Sequence, residues 1–548
     1  MAEPVNIAAI DAGSNALRIV IARAESPHDV RVLATERFPV RLGHRAFTER
    51  RLDKKSMARA VKAFRHFRAV MEAYGVESYR AVATSAVREA RNRKEFVARV
   101  LRKTGLHLEI IDGTEEARLV RAAVLGAVSP QLSPRLVVDL GGGSLEFNLL
   151  RPAAGLRYSR DPAIVDYSRT LPVGTVRLLE SLQLRGAMSD DEVIEVRNYV
   201  LAMLRSSFRR PPNLAGALAV ACGGNAEALA QFASGPAVRI RVGRGHQALN
   251  TLNIRLLRER LWDILSRDVP RRMKVFRVRK DRADVMAVAA IVFLTLARWL
   301  NLRSFLVPGV GVREGVLRDL VLEHFAADIS AAEEKKARAL MTAARWFAAK
   351  HHASARHNEQ VQRLAISLFD QLTPLHRMGL PERRLLELGA VLHDIGHFIN
   401  KKAHGKHGEY LVRNGKIGGL KGWRSDFVAC LVRYHNPKSD PDLDHKLYAS
   451  LDPLRRRQVR VLTAILRVAE GLDRDHKQAV AEVSVGLDCS DIDIRVRFRA
   501  VPARLAGQTI AAAQRKVSAR GGLENEFGVR TRIRKAALRR PSRRARVA

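Results

Sequence analysis

The sequence predicts an α/β protein of two lobes, continued by an all-α domain and closed by a small α+β segment. Three observations carry that expectation. One phrase occurs twice in the first 150 residues: a strand pattern, an aspartate, a tight Gly/Ser turn and a second strand pattern, at residues 7–15 and again at 136–144. Strand patterns alternate with helical ones up to about residue 325, the signature of α/β layering. From about 330 to 480 the spacing is helical almost throughout, and period-two alternation returns at residues 483–487 and 492–496.

In chain order, residues 5–35 alternate as a β-hairpin. Met57, Val61, Phe64, Phe67 and Met71 recur at helical spacing and stop at Gly75. Short strands are expected at 80–85 and 108–111, the second leading through Asp112-Gly113-Thr114 into a helix from Glu115. Ser129-Pro130 and Ser133-Pro134 form a turn-rich break, so the lobes are expected at 1–127 and 128–325. In the second lobe, residues 218–222 run into Gly223-Gly224 before a helix, and residues 308–315 form another Gly-rich turn entering a helix. The apolar run 287–297, ended by Arg298, is too short to span a bilayer and reads as a core helix. A helical domain is expected at 326–480 and a small domain at 481–548, whose densely basic residues 530–546 are expected to be loosely ordered.

Composition narrows the function class. The 548 residues are 47% hydrophobic, which rules out global disorder. Lys and Arg number 96 against 56 Asp and Glu, a formal net charge of +40 that attracts polyanions: nucleic acid, an anionic membrane surface or a phosphate polymer. Aromatic residues make up only 5%, leaving few platforms for stacking single-stranded nucleic acid. Cys222, Cys430 and Cys489 are far apart, and residues 1–5 lack a signal-peptide pattern, so a reducing cytoplasm is the expected compartment.

The repeated phrase names a chemistry. An aspartate before a glycine turn holds a hydrated cation, and the turn's unhindered N–H groups hold a phosphate. Phosphoanhydride hydrolysis needs both, together with nearby positive charge and a base that orients water. Asp11, Asp139 and Glu146 are the candidate cation ligands, and their oxygen donors suit Mg2+. Glu115 and Glu116 are the candidate bases, either one on residue type alone.

Eight pieces in order across residues 5–320 resemble the exopolyphosphatase / guanosine pentaphosphate phosphohydrolase (Ppx/GppA) family. They are Asp11-Ala12-Gly13-Ser14-Asn15, residues 83–90, Gly113-Thr114-Glu115-Glu116-Ala117, residues 139–146, residues 171–178, Cys222-Gly223-Gly224, Asp281-Arg282-Ala283-Asp284 and residues 308–315. The resemblance implies two lobes of the actin / Hsp70 / sugar-kinase (ribonuclease H-like) fold. It also implies Glu116 as general base, Asp139 and Glu146 as metal and phosphate-side carboxylates, and an arginine facing the phosphates at Arg88. The phosphate loops would be Asp11, Gly13, Ser14 and Asn15 on one side, Gly141, Gly142, Gly143 and Ser144 on the other, with Gly223 and Gly224 as a third turn. Ala16, Leu145 and Asn225 replace hydroxyl residues usual in the family. The implied substrates are inorganic polyphosphate and guanosine pentaphosphate; the +40 charge favours the polymer. A non-catalytic polyanion or RNA-binding protein, and a kinase or chaperone of the same superfamily, are the rival classes.

The histidine-rich stretch resembles an HD-type phosphohydrolase domain, carried by His357, the pair His393-Asp394 and the run 466–473. That resemblance implies a second divalent-cation site at His357, His393, Asp394 and Glu470, with Glu470 standing where an aspartate is common. Long members of the family carry such a domain as an auxiliary module, and the helical second half is compatible with a homodimer.

Overall fold

The computed structural model describes residues 2–128, 132, 134–151, 164–208, 212–242, 245–437, 439–488 and 491–536. The Ser-Pro break at 129–134 falls mostly outside the described residues, as does Cys489. The chain forms two compact units, Met1–Ser330 and Ala331–Ala548.

The first unit holds two mixed sheets. One has the order β3-β2-β1-β4-β5, from β1 (Val5–Ala12), β2 (Leu17–Ser26), β3 (Asp29–Phe38), β4 (Ser78–Ala83) and β5 (Leu108–Ile110). The other has the order β10-β11-β12-β9-β6-β7-β8. Its strands are β6 (Leu136–Leu140), β7 (Leu145–Arg151), β8 (Ile164–Leu171), β9 (Ala219–Cys222), β10 (Val238–Val242), β11 (Gly245–Asn253) and β12 (Ser304–Val307). The repeated phrase is the same device in each sheet: an antiparallel hairpin, β1–β2 or β6–β7, flanked by a parallel strand, β4 or β9.

Strand alternation decides what faces the space between the sheets. Ala8, Ile10 and Ala12 of β1 pack on Phe64 and Phe67 of the helix Lys54–Ala73. Ile7 and Ala9 point the other way, into a core shared with Val137 of β6, Val220 of β9 and Leu119 and Val120 of the helix Gly113–Ala127. Side chains two residues apart share a face. Asp11 therefore follows Ile7 and Ala9, and Asp139 follows Val137, into this inter-sheet layer. Glu146 lies on the same face as Leu150, which belongs to that core. Leu145, one residue out of phase, is buried in the opposite core with Leu140 and Phe147. The hydroxyl missing at position 145 is thus replaced by core packing.

The run 287–297 lies within the helix Met286–Leu300, buried against the second sheet. No described helix is long and apolar enough to cross a membrane.

The second unit is helical, with a three-stranded sheet β13-β14-β15 from β13 (Val480–Leu487), β14 (Asp491–Phe498) and β15 (Arg530–Lys535). Val483, Ile492, Ile494 and Ile533 of the sheet share one core with Leu364, Leu386, Leu431 and Leu466 of the helices. The expectation of loose order from residue 530 is corrected here. Residues 530–535 pair in parallel with β14, Ile533 opposite Ile494, and turn Thr531 and Ile533 inward. Residues 537–548 lie outside the described residues.

Candidate functional site

The inter-sheet layer gathers Asp11, Glu116, Asp139 and Glu146, and adjacent glutamates show how selectively it does so. Asp112 caps the helix Gly113–Ala127 by accepting from the Glu115 amide at 2.8 Å. From the first turn, Glu115 leaves on the side of Arg118 and Arg80, at 2.7 and 3.1 Å. Hydrogen bonding to Arg118 holds its carboxyl below the usual value. Glu116, one position on, is buried toward the layer. Burial pushes its carboxyl up to about 7, reinforced by Asp139 and Asp11 and opposed by Arg88. Arg88 donates to Glu116 Oε2 at 3.0 Å and to the Ile111 carbonyl at 2.9 Å, fixing the carboxylate's orientation.

The other three carboxylates share this environment. Asp139 and Glu146 stand opposite each other in the β6–β7 register. Burial and then the Asp11 charge push Asp139 up to about 7. Burial, Glu116 and Asp139 raise Glu146 well above its usual value, and burial raises Asp11. Asp11 Oδ1, Asn15 Oδ1 and Glu146 Oε1 are buried without a hydrogen-bond partner. Oxygen-only donors, mutual repulsion and orphaned lone pairs together fit a hard divalent cation.

This fit has a measurable consequence. The ordinary values for Glu116 and Asp139 are 4.5 and 3.8, and both rise to about 7 in the fold. Folding therefore favours their protonated forms: that contribution is intact below about pH 4 and is lost as pH rises through 7. A cation bound to the ionised carboxylates offsets the loss. The thermal upshift on adding Mg2+ is expected to be clearly larger at pH 8 than at pH 5.5, read by thermal unfolding with and without the ion. An equal or smaller upshift at pH 8 contradicts the arrangement.

The glycine turns are shaped by close approach. Gly223 has φ +79°, and a Cβ there would stand 2.4 Å from Asp139 Oδ1. Gly174, before the helix Thr175–Ser181, leaves no room for a Cβ against the backbone of Gly143. The Gly141 amide closes its own turn on the Ser144 carbonyl at 3.0 Å. The Ser144 hydroxyl opposes, in small part, the upward push of burial on the Glu146 carboxyl. On the facing loop, Ser14 Oγ lies 3.0 Å from Ser85 Oγ, and the Ser14 carbonyl accepts from the Gly43 amide at 2.7 Å. The Asn15 side chain donates to the Asp281 carbonyl at 3.2 Å. Asn225, in place of a hydroxyl residue, donates to the Leu140 carbonyl at 2.7 Å and supports the turn. Cys222 is buried, and burial holds its thiol protonated, which excludes it as a nucleophile.

Two cations of this layer, Arg18 and Arg282, are assigned no role by the sequence, although Arg282 lies within the Asp281-Arg282-Ala283-Asp284 piece. Arg18 interrupts an apolar strand, yet the β1–β2 register sets it opposite Asp11, whose carboxyl it holds down against burial. Arg282 lies against Gly224 and donates to Asn225 Oδ1 at 3.4 Å. Burial, then Arg18 and Arg37, push Arg282 down to about 9. Its neighbours Asp281 and Asp284 pair with Arg37 and Arg41, tying the 281–284 segment to β3 and the loop that follows it. Arg313 and Glu314 form an ion pair at 3.1 Å, and Glu314 also caps the Gly311 amide at 2.8 Å.

In the second unit, His357, His393 and Asp394 come together and Glu470 does not. His357 Nε2 and His393 Nε2 each lie 3.6 Å from Asp394 Oδ2. Glu470, the expected fourth ligand, instead pairs with Lys516 of the helix Ala503–Val517. The carboxylate that reaches the cluster is Asp473, which accepts from His357 Nδ1 at 2.9 Å. Glu470 lies in the last turn of the helix Pro453–Gly471 and Asp473 beyond its end, so Asp473 is not bound to the helix's direction, and a lysine far along the chain claims Glu470.

Comparison with known proteins agrees with this geometry. The model of the Ppx/GppA phosphatase family matches residues 20–324, more than half of the chain, and that of Ppx/GppA phosphatase domain III matches residues 340–501. The chain belongs to the Ppx/GppA phosphatase family. As a Ppx/GppA member it is a hydrolase of phosphoanhydride bonds. Two curated relatives are named guanosine-5'-triphosphate,3'-diphosphate pyrophosphatase. The one from Aeromonas salmonicida is 24% identical, over 78% of this chain and 79% of the relative. The one from Aeromonas hydrophila is 24% identical, over 84% of this chain and 86% of the relative. A solved exopolyphosphatase-like protein is 25% identical with a TM-score of 0.50, covering 58% of this chain and 98% of its own. The mixed sheets and this likeness make the first unit of the Ppx/GppA chain an actin-like α/β fold.

Proposed function

We propose that this Ppx/GppA chain removes the terminal 5'-phosphate of guanosine pentaphosphate by water attack. The observation that carries the reading is Glu116: buried, poised near neutrality and steered by Arg88. An ordinary carboxylate is a weak base, whereas one raised to about 7 matches the operating pH. Glu116 takes the proton of the attacking water, and Arg88 holds its other oxygen. The Gly142 and Gly143 amides, Ser14 and Ser144 line the terminal phosphate, and Arg18 and Arg282 balance its charge. Asp11, Asp139 and Glu146 hold a divalent cation, Mg2+ by their donor set, which supplies charge neutralisation at the phosphoryl oxygens when bound.

The names of the curated relatives favour the nucleotide over the polymer. A cavity of about 530 Å³ supports the same choice. It is lined by Ala228, Gln231, Phe232, Arg260, Phe276 and Met286. Phe232 and Phe276 meet edge-on at 4.5 Å, with the Arg260 guanidinium 5.3 Å from the Phe232 ring centre. This cavity borders the far end of the helix Gly223–Phe232, whose ten residues span about 15 Å from the turn beside Asp139. That is the reach of a nucleoside triphosphate, and aromatic and guanidinium faces suit a purine. A phosphate chain has no use for them.

Phe232→Ala is expected to raise KM for guanosine pentaphosphate five- to 100-fold, about the worth of one stacked base, and to leave KM for polyphosphate unchanged. Equal effects on both substrates remove the cavity from nucleotide recognition. Polyphosphate remains the second reading, favoured by the net charge of +40. Phosphate release from each substrate at matched concentrations of terminal phosphate, with Mg2+, ranks them. A higher kcat/KM for the polymer reverses the assignment.

A further inference from the structure

We infer, building on the nucleotide reading of the cavity beside Phe232, that Asp263 makes this cavity specific for guanine, its carboxylate pairing with the N1–H and the 2-amino group of the base. Asp263 lines the cavity together with Gln231, Phe232, Arg260 and Phe276. It stands in the first turn of the short helix Leu261–Leu265, and Arg260 joins this helix to the preceding one, Ile254–Glu259.

The polar groups of the cavity differ in what they are able to do. Arg260 Nη1 donates to the Phe232 carbonyl at 2.5 Å and its guanidinium lies over the Phe232 ring, so it is anchored to the aromatic wall. The Gln231 amide both donates and accepts, and by turning over it suits the edge of either purine. The Asp263 carboxylate only accepts. Its Oδ1 takes a hydrogen bond from Arg267 Nη2 at 2.9 Å, four residues along the chain. Arg267 does not line the cavity, so it steers the carboxylate from outside. Among the described residues no other donor reaches that carboxylate, which leaves both oxygens with lone pairs to offer.

Two adjacent acceptors call for two adjacent donors. Guanine presents them, N1–H beside the 2-amino group. Adenine presents an N1 lone pair, which a carboxylate repels. Hypoxanthine keeps N1–H but lacks the amine, and xanthine carries a carbonyl oxygen in its place. The rest of the lining includes Val275, Val278 and Met286, which offer no polar group to an unmatched base. The Asp263 side chain is 54% exposed, so water competes for its oxygens. The discrimination is therefore expected at about 10- to 100-fold, the worth of hydrogen bonds to a charged acceptor, and short of the factors a closed site reaches.

The test is calorimetric binding by the full chain in a Glu116→Gln background with Mg2+, where the ligand stays intact. Guanosine pentaphosphate and its inosine, xanthosine and adenosine counterparts are the probes. With Asp263 in place, guanosine is expected to bind about 10- to 100-fold tighter than xanthosine or adenosine, with inosine between. Asp263→Asn keeps the volume of the side chain and turns one acceptor into a donor that matches the 2-carbonyl of xanthine. It is expected to weaken guanosine binding by about 10- to 100-fold and to tighten xanthosine binding by about fivefold or more, so that the preference reverses. Asp263→Ala is expected to weaken guanosine binding with no gain for xanthosine; a gain confined to the asparagine variant is what a merely structural role would not produce. An Asp263→Asn chain that keeps tight guanosine binding and the original order of bases overturns the assignment of Asp263 and leaves the nucleotide reading standing. Binding of none of the probes overturns both.

Discussion

Glu116→Gln is expected to lower kcat for phosphate release by about 10²- to 10⁴-fold, the usual worth of a positioned general base, while substrate affinity changes little. Glutamine keeps the volume of the side chain and an oxygen that accepts from Arg88, so packing and the bond at 3.0 Å survive. What it loses is the site that receives a proton. The control lies one residue away. Glu115→Gln disturbs ion pairs with Arg118 and Arg80 that are partly open to solvent, and is expected to change kcat less than threefold. Initial rates and nucleotide binding by calorimetry separate these outcomes. A Glu116→Gln chain within threefold of wild-type kcat, or a Glu115→Gln chain with the larger loss, contradicts the assignment of the base.

Glu146→Gln is expected to act in opposite directions on stability and on rate. Glu146 is buried with one oxygen unpartnered, and Glu116 and Asp139 raise its carboxyl further. Removing its charge relieves repulsion, so without divalent ions at pH 8 the variant is expected to melt above the wild type. Its upshift on adding Mg2+ is expected to shrink, because the cation has lost a ligand. Cation stabilisation of phosphoryl charge is worth several kcal/mol, so kcat is expected to fall on the order of 100-fold or more. Thermal unfolding and initial rates on one preparation read both effects. A variant whose Mg2+ upshift equals that of the wild type removes Glu146 from the cation site.

The site was legible where its chemistry is local. An aspartate, a glycine turn and two flanking strands are contiguous, and both hairpins form as their patterns predict. Strand parity adds that Asp11, Asp139 and Glu146 face one layer while Leu145 faces a core, so the difference at 145 bears on packing. What escaped is set by partners distant in sequence. Arg18 looks like a flaw in an apolar strand until the register sets it opposite Asp11; a lone charge beside an Asp-Gly turn is the signal that marks it. Arg282 depends on the 281–284 segment being held by Arg37 and Arg41, some 240 residues away. The choice between Glu470 and Asp473 is made by Lys516, on a helix of another part of the core. Residues 530–535 read as tail because arginine dominates them, although Thr531 and Ile533 keep a strand's alternation.

The central claim is that water, activated at Glu116, attacks the terminal 5'-phosphorus of guanosine pentaphosphate. Hydrolysis in water enriched in oxygen-18, followed by mass spectrometry of both products, tests it most directly. The account predicts one labelled oxygen in the released inorganic phosphate and none in the guanosine tetraphosphate. Label in the nucleotide, or release of pyrophosphate in place of phosphate, contradicts it.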